Sequence, residues 1–176
     1  MNPLNFVQNL GLKITWKLIT VGLYCYGNSP PITRQEVLDF LDLCLLRENT
    51  QANEIISVIC EENDTEAMDA KLEELSEHDR SELSLQKRKW RVYLLIRLLE
   101  KLGTDPLQGL LALMEFWLPM RDTGCPITFP CNNGSPSVEE YFTKSNYETM
   151  VKRNRAWLHK EIGEIQQAES LLCNCL

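Results

Sequence analysis

The sequence predicts an all-α, single-domain, bundle-like fold of seven or eight helices spanning residues 1–176, and three observations carry that prediction. Apolar residues recur three and four positions apart along most of the chain, the spacing that lines one face of a helix. Residues able to accept a hydrogen bond from orphan backbone N–H groups stand at the heads of those periodic segments. Almost no stretch alternates as a strand does, apart from a weak one from Pro126 to Phe129.

Taken in order, Thr15 caps a first helix that begins at Trp16-Lys17 and runs through apolar residues toward Tyr26. Its end is marked by the turn-rich Gly27-Asn28-Ser29-Pro30-Pro31. The clearest start follows. Thr33 and Glu36 form a capping box, in which each side chain accepts from the other's backbone N–H, and Ile32 with Val37 supplies a hydrophobic staple. Val37, Leu38, Leu41, Cys44 and Leu45 then give a core face. A short helix from Asn53 to Glu62 is expected to carry Ile55, Ile56, Ile59 and Cys60 inward, and Cys44 and Cys60 are read as small core residues. After Asn63-Asp64, the residues Ala67, Met68, Leu72 and Leu75 recur at helical spacing with acids between them.

The strongest signal runs from Lys87 to Pro119 and reads as two helices joined by a tight turn. Trp90, Tyr93, Leu94, Arg97, Leu98 and Lys101 recur on one stripe and Val92, Leu95, Ile96, Leu99 and Leu102 fill a second, which leaves the first helix apolar around most of its circumference. Gly103 stands where a left-handed cap is expected, Asp105 caps the next helix, and Pro106 occupies its first position, where a missing N–H costs nothing. Leu107, Leu110, Leu111, Met114 and Trp117 line the return helix until Pro119 stops it. From Arg121 to Pro136 the pattern breaks at Gly124, Pro126, Pro130, Asn132, Asn133 and Gly134; at about 16 residues this connection exceeds the usual length. Ser137 with Glu140 makes a second capping box. The last helix starts near Ser145 or Asn146, with Tyr147, Met150, Val151, Asn154, Trp157, Leu158, Ile162 and Ile165 on one face.

Charge and composition restrict the function. A chain of 176 residues can bury a core without staples, and its net charge of −7 argues against nucleic acid as partner, because phosphate neutralisation supplies most of that affinity. No apolar stretch approaches the ~20 residues a bilayer requires, and Lys13 and Lys17 interrupt the N-terminal apolar run. A cytoplasmic protein with reduced thiols, no membrane partner and no cofactor is the expectation.

Chemistry-bearing patterns are scarce. A calcium loop fails because Ala67 stands where glycine is required, and a di-iron bundle fails because Leu75 and Ala156, not glutamates, lie three residues before His78 and His159. No nucleophile elbow or phosphate-cradling loop occurs, so an enzyme is not expected. Cys125, Cys131, Cys173 and Cys175 match no common zinc spacing and read as free thiols. Lys152, Arg153, Arg155 and Lys160 form a basic cluster on the last helix, read as a solvated surface.

One stretch stands out by charge. Residues 53–82 hold eleven carboxylates against Lys71 and Arg80, a net −9, while the remainder sums to +2. Such a face steers a cationic partner and offers carboxylates to its lysines and arginines; it is equally readable as a solvated helix surface.

At Ile14-Thr15-Trp16-Lys17 with Gly22-Leu23, at Asp105-Pro106-Leu107 and at Glu115-Phe116-Trp117-Leu118-Pro119, the chain resembles an uncharacterised bacterial helical family. That family shows Leu-Thr-Trp-Lys near its start and Asp-Pro-Leu followed by Asp-Phe-x-Tyr-Pro in mid-chain; here Glu115 and Leu118 differ. Its members look like immunity proteins of contact-dependent growth inhibition and related polymorphic toxin systems. The resemblance implies a small cytosolic protein that binds a cognate toxin domain and blocks it, with a basic RNase the expected partner. The acidic stretch is then the expected interface, through Glu61, Glu62, Asp64, Glu66, Asp69, Glu73, Glu74, Glu77 and Asp79, helped by the 121–136 loop. A helical adaptor or regulator without a toxin is the alternative class, and gene context separates the two.

Overall fold

The computed structural model describes residues 1–26, 29–47, 51–120, 124–128 and 137–173. Among them the chain is all-α, with nine α-helices and one 3-10 turn and no strand. No helix is long and apolar enough to cross a membrane. The chain divides into two compact units, residues 1–93 with 165–176 and residues 94–164.

The first unit opens with α1 (Pro3–Asn9), a seven-residue helix too short for apolar periodicity to disclose. Asn2 caps it by accepting from the Leu4 N–H, and Pro3 sits in the first turn. Helix α2 (Trp16–Tyr24) is capped by Thr15 as expected, and α3 (Arg34–Leu45) carries the complete Thr33–Glu36 capping box. Of the expected core face of α3, Val37 and Leu41 are buried and Phe40 joins them, while Leu38, Cys44 and Leu45 are only half-buried at its margins. Gly27-Asn28 lie outside the described residues.

Helix α4 (Ala52–Ile59) corrects one expectation. It buries Ile55 and Val58, while Ile56 is 47% exposed and Cys60, its C-cap, is also exposed. A helix of eight residues has one narrow core stripe, and positions three apart fill it; Ile56 and Cys60 fall past its edge. Helix α5 (Thr65–His78) buries Met68 and Leu72, with Asp64 as its N-cap accepting from the Glu66 and Ala67 N–H groups. Helix α6 (Leu83–Lys101) starts here, and its Trp90 indole donates to the Leu18 carbonyl at 2.7 Å. A Cβ on Gly22 would stand 2.4 Å from the Trp90 ring, so only glycine lets α2 approach that closely.

A buried ion pair closes this unit. Lys89 Nζ lies 2.6 Å from a Glu169 carboxylate oxygen, and both side chains are almost fully buried. Lys89 also donates to the Lys13 carbonyl, and Glu169 accepts from the Lys13 N–H, so each charge has a second partner.

The second unit contains α7 (Pro106–Trp117), the 3-10 turn Leu118–Met120, α8 (Val138–Tyr141) and most of α9 (Lys144–Cys173). Asp105 caps α7 through the Leu107 N–H, as expected. Gly103 corrects the reading of the turn before it, because it does not take the left-handed conformation, which among the described residues only Gly11 and Gly124 adopt. Its carbonyl instead accepts the Tyr147 hydroxyl at 2.7 Å, and the Tyr147 ring packs against Gly109. Leu107 and Leu111 turn outward, at 48% and 41% exposure, while Leu110, Leu113 and Trp117 face the core. Trp117 donates to the buried Asn154 side chain at 2.7 Å and meets Trp157 edge-on at 4.9 Å. The Ser137–Glu140 capping box forms, and Tyr147, Met150, Leu158 and Ile165 of α9 are buried as expected. The residues 126–128 form no strand; Phe129 and most of the 121–136 loop, with Cys131, Cys175 and Pro136, lie outside the described residues.

Candidate functional site

The residues expected at an interface fall on and around α5, and the structure sorts them by what already holds them. Three are engaged by the fold. Asp64 is the α5 cap. Asp69 receives Nε and Nη2 of Arg34 at 2.8 and 2.5 Å, a two-point contact, and the Tyr24 hydroxyl at 2.6 Å. Asp79 receives the Lys17 and Ser81 N–H groups, each at 2.9 Å, so it caps the N-terminus of α2 from across the unit.

These contacts form a ladder. Lys17, Thr20 and Tyr24 on α2 meet Asp79, Ser76 and Asp69 in reverse order, which sets α2 and α5 antiparallel. Lys17 Nζ is bound by the Asp79 and Ser81 carbonyls, and Thr20 Oγ1 lies 3.0 Å from Ser76 Oγ. Arg34 also lies over the Tyr24 ring at 5.8 Å.

Titration follows these contacts. The Arg34 guanidinium holds the Asp69 carboxyl below its ordinary range, against a smaller opposing effect of burial. For Asp79 burial pushes upward, but the hydrogen bonds from Lys17 and Ser81 outweigh it and the net direction is down. Burial, together with the bond donated to Asp69, pushes the Tyr24 phenol well above its usual value. Tyr26, whose hydroxyl donates to the Lys87 carbonyl, is pushed up to about 12 by burial.

The remaining acids are not hydrogen-bonded to α2 among the described residues. Glu61 is half-buried just past α4, and Glu62 is exposed beside Asn63. Glu74 pairs with Lys71 at 2.8 Å, which lowers its carboxyl. Glu66, Glu73 and Glu77 are exposed and make no ion pair among the described residues. Their spacings of seven and four place them within about 40° of one another around α5 and over about 16 Å of its length.

Beside this stripe lies a groove that periodicity could not disclose. It encloses about 520 Å³ and is lined by Val21, Tyr24 and Cys25 from the α2 side, Asp69 and Glu73 from α5, and Leu83 at the head of α6, with Lys17, Thr20 and Ser76 along the seam. Tyr24 and Leu83 are 43% and 49% exposed, and both belong to its wall. The only legible hint was charge on α5, because the apolar wall comes from segments about 60 residues apart.

No group of three metal-ligating side chains occurs among the described residues. His78 is exposed on α5 with Nδ1 at 2.7 Å from the Glu74 carbonyl. Lys152, Arg153, Arg155 and Lys160 are exposed on α9, with Lys160 3.5 Å from Glu164.

The residues that carry the family resemblance do packing work. Trp16 and Gly22 belong to the α2 core contact, Asp105 is a cap, and Trp117 is a buried anchor. A family model described as "Uncharacterized protein conserved in bacteria (DUF2247)" matches residues 4–162. No curated protein and no solved structure matches.

Proposed function

We propose, from the premise that this chain belongs to that uncharacterised bacterial family, that it is an immunity protein which binds a basic toxin domain and blocks it. The partner is a nuclease, most simply an RNase, whose cationic substrate groove receives the acidic face of α5 in a tight heterodimer. One observation carries the reading: Glu66, Glu73 and Glu77 form a single exposed stripe without ion-pair partners among the described residues, beside an apolar groove. Carboxylates held by no internal cation keep their full field for an incoming partner, and such fields raise association rates. The composition agrees, since a net charge of −7 concentrated here suits a cationic protein and repels nucleic acid. Asp69 and Asp79 serve this interface indirectly, by holding α2 and α5 in register.

The test is co-purification with the toxin domain encoded directly upstream, using wild type and a Glu66→Lys, Glu73→Lys, Glu77→Lys triple variant. Wild type should retain the domain and suppress its nuclease activity, and the triple variant should lose both, most clearly at low salt. Equal retention by the two at low and high salt would remove this interface. A helical adaptor would instead retain a partner that has no nuclease activity to suppress.

A further inference from the structure

We infer that the α2–α5 groove is the seat of an apolar anchor side chain, carried on a basic segment of the partner, and that groove and acidic stripe divide the work of binding. This rests on the proposed binding reading and adds what the groove itself selects.

The wall chemistry dictates the guest. Lys17, Thr20, Ser76 and Asp69 all line the groove, and each is already hydrogen-bonded within the fold. Apart from the Cys25 thiol, Glu73 is the one polar side chain on the wall with no hydrogen-bond or ion-pair partner among the described residues, so a polar guest would give up water for little in return. What remains is the apolar surface of Val21, Tyr24 and Leu83, in a volume within the range of pockets that enclose whole ligands. An aromatic or long aliphatic side chain fits that surface. Glu73 at the rim, with Glu66 and Glu77 along the same helix, requires that its flanks be Lys or Arg.

The wall is also set before the guest arrives. Tyr24 is fixed by its bond to Asp69 and by Arg34 over its ring, so ordering it on binding costs little entropy. Buried apolar anchors govern dissociation, and exposed charges govern encounter. Val21, Tyr24 and Leu83 therefore set residence time and partner choice, and Glu66, Glu73 and Glu77 set the association rate.

The probe is a synthetic arginine-rich helical peptide bearing one central tryptophan, compared with its Trp→Ala and Arg→Glu counterparts on the full chain. Binding is followed by stopped-flow kinetics, and occupancy by the rate of Cys25 alkylation read at the peptide level, because that exposed thiol lines the groove. The tryptophan peptide should slow Cys25 alkylation. Its Trp→Ala counterpart, and the Leu83→Ser chain with the original peptide, should each dissociate about tenfold faster. Raising salt from about 0.01 M to about 0.5 M should slow association and leave dissociation nearly unchanged. Equal binding of the tryptophan and alanine peptides without Cys25 protection would overturn the inference in favour of charge alone. So would Cys25 protection that grows with protein concentration in the absence of peptide, which would make a second copy the occupant.

The two readings fail separately. If the charge triple variant lost the toxin domain while Leu83→Ser kept it with unchanged dissociation, the anchor would be wrong and the immunity reading intact. If the peptide bound as stated and wild type retained no toxin domain, the groove would stand and the immunity reading would fall.

Discussion

Two edges of the same helix use the same residue type in opposite ways. On the edge of α5 that faces α2, Asp69 and the Asp79 just past its end accept hydrogen bonds from Arg34, Tyr24, Lys17 and Ser81 and fasten two helices together. On the outer edge Glu66, Glu73 and Glu77 hold no ion-pair partner among the described residues. Charge counting assigns all five to one acidic surface. Geometry separates a structural set from an available set, and only the second retains a field that a partner can use.

The comparison breaks first if engaged carboxylates contribute no stability, and the sharpest case is Glu169. Replacing Lys89 by Leu leaves that carboxylate buried with, among the described residues, only the Lys13 N–H donating to it. The expected loss is about 3–5 kcal/mol, read by urea denaturation. The Lys89→Leu, Glu169→Leu double variant should recover most of it, because the cost lies in the unpaired buried charge. A double variant as unstable as the single would show that packing, and not charge pairing, holds this site.

A smaller effect is expected where α5 meets α2. Asp79→Ala removes two hydrogen bonds to a charged acceptor and leaves Thr15 as the one side chain capping α2, for a loss of about 1–3 kcal/mol. Asp69→Asn should cost about 1 kcal/mol or less, since the Arg34 pair is partly exposed and water screens it.

Acid sharpens the same contrast. Both carboxyls titrate lower in the folded chain than in the unfolded one, so between the two values the unfolded chain binds more protons. Their contribution is present above the ordinary carboxylate value near about 4 and is lost as pH falls through the folded values. Wild type should therefore lose more stability on acidification than the Asp69→Asn, Asp79→Asn double variant. Parallel pH curves for the two would contradict the assignment.

How much of this was legible depended on distance along the chain. Caps are local chemistry, and Thr15, Thr33 with Glu36, Asp105 and Ser137 with Glu140 stand in the structure as the sequence indicated. Helix α1 was equally local, since Asn2-Pro3 is an N-cap followed by a first-turn proline, but its seven residues hold too few apolar positions for periodicity to register. Gly103 was misread because a glycine after a helix permits the left-handed state without requiring it; the contact that decides, from Tyr147, lies 44 residues away. The groove was invisible for the same reason. Its wall joins Tyr24 to Asp69 and Leu83, and nothing local in those segments states that α2 and α5 run antiparallel in contact.

The smallest expected change in stability is the one that separates the two edges most cleanly. Changing Glu66, Glu73 and Glu77 together to Gln removes charge from exposed positions, so each substitution should move stability by no more than about 0.5 kcal/mol. Glutamine keeps helix propensity and length, which leaves the field as the one property altered. Association with a basic partner should slow, and its dependence on salt should flatten, while the acid-unfolding curve stays with wild type. A variant that unfolded like Asp79→Ala would place these acids in the structural set. A variant that bound as fast as wild type at low salt would show that the outer edge is solvated surface, and the division of α5 into two functional edges would then rest on Asp69 and Asp79 alone.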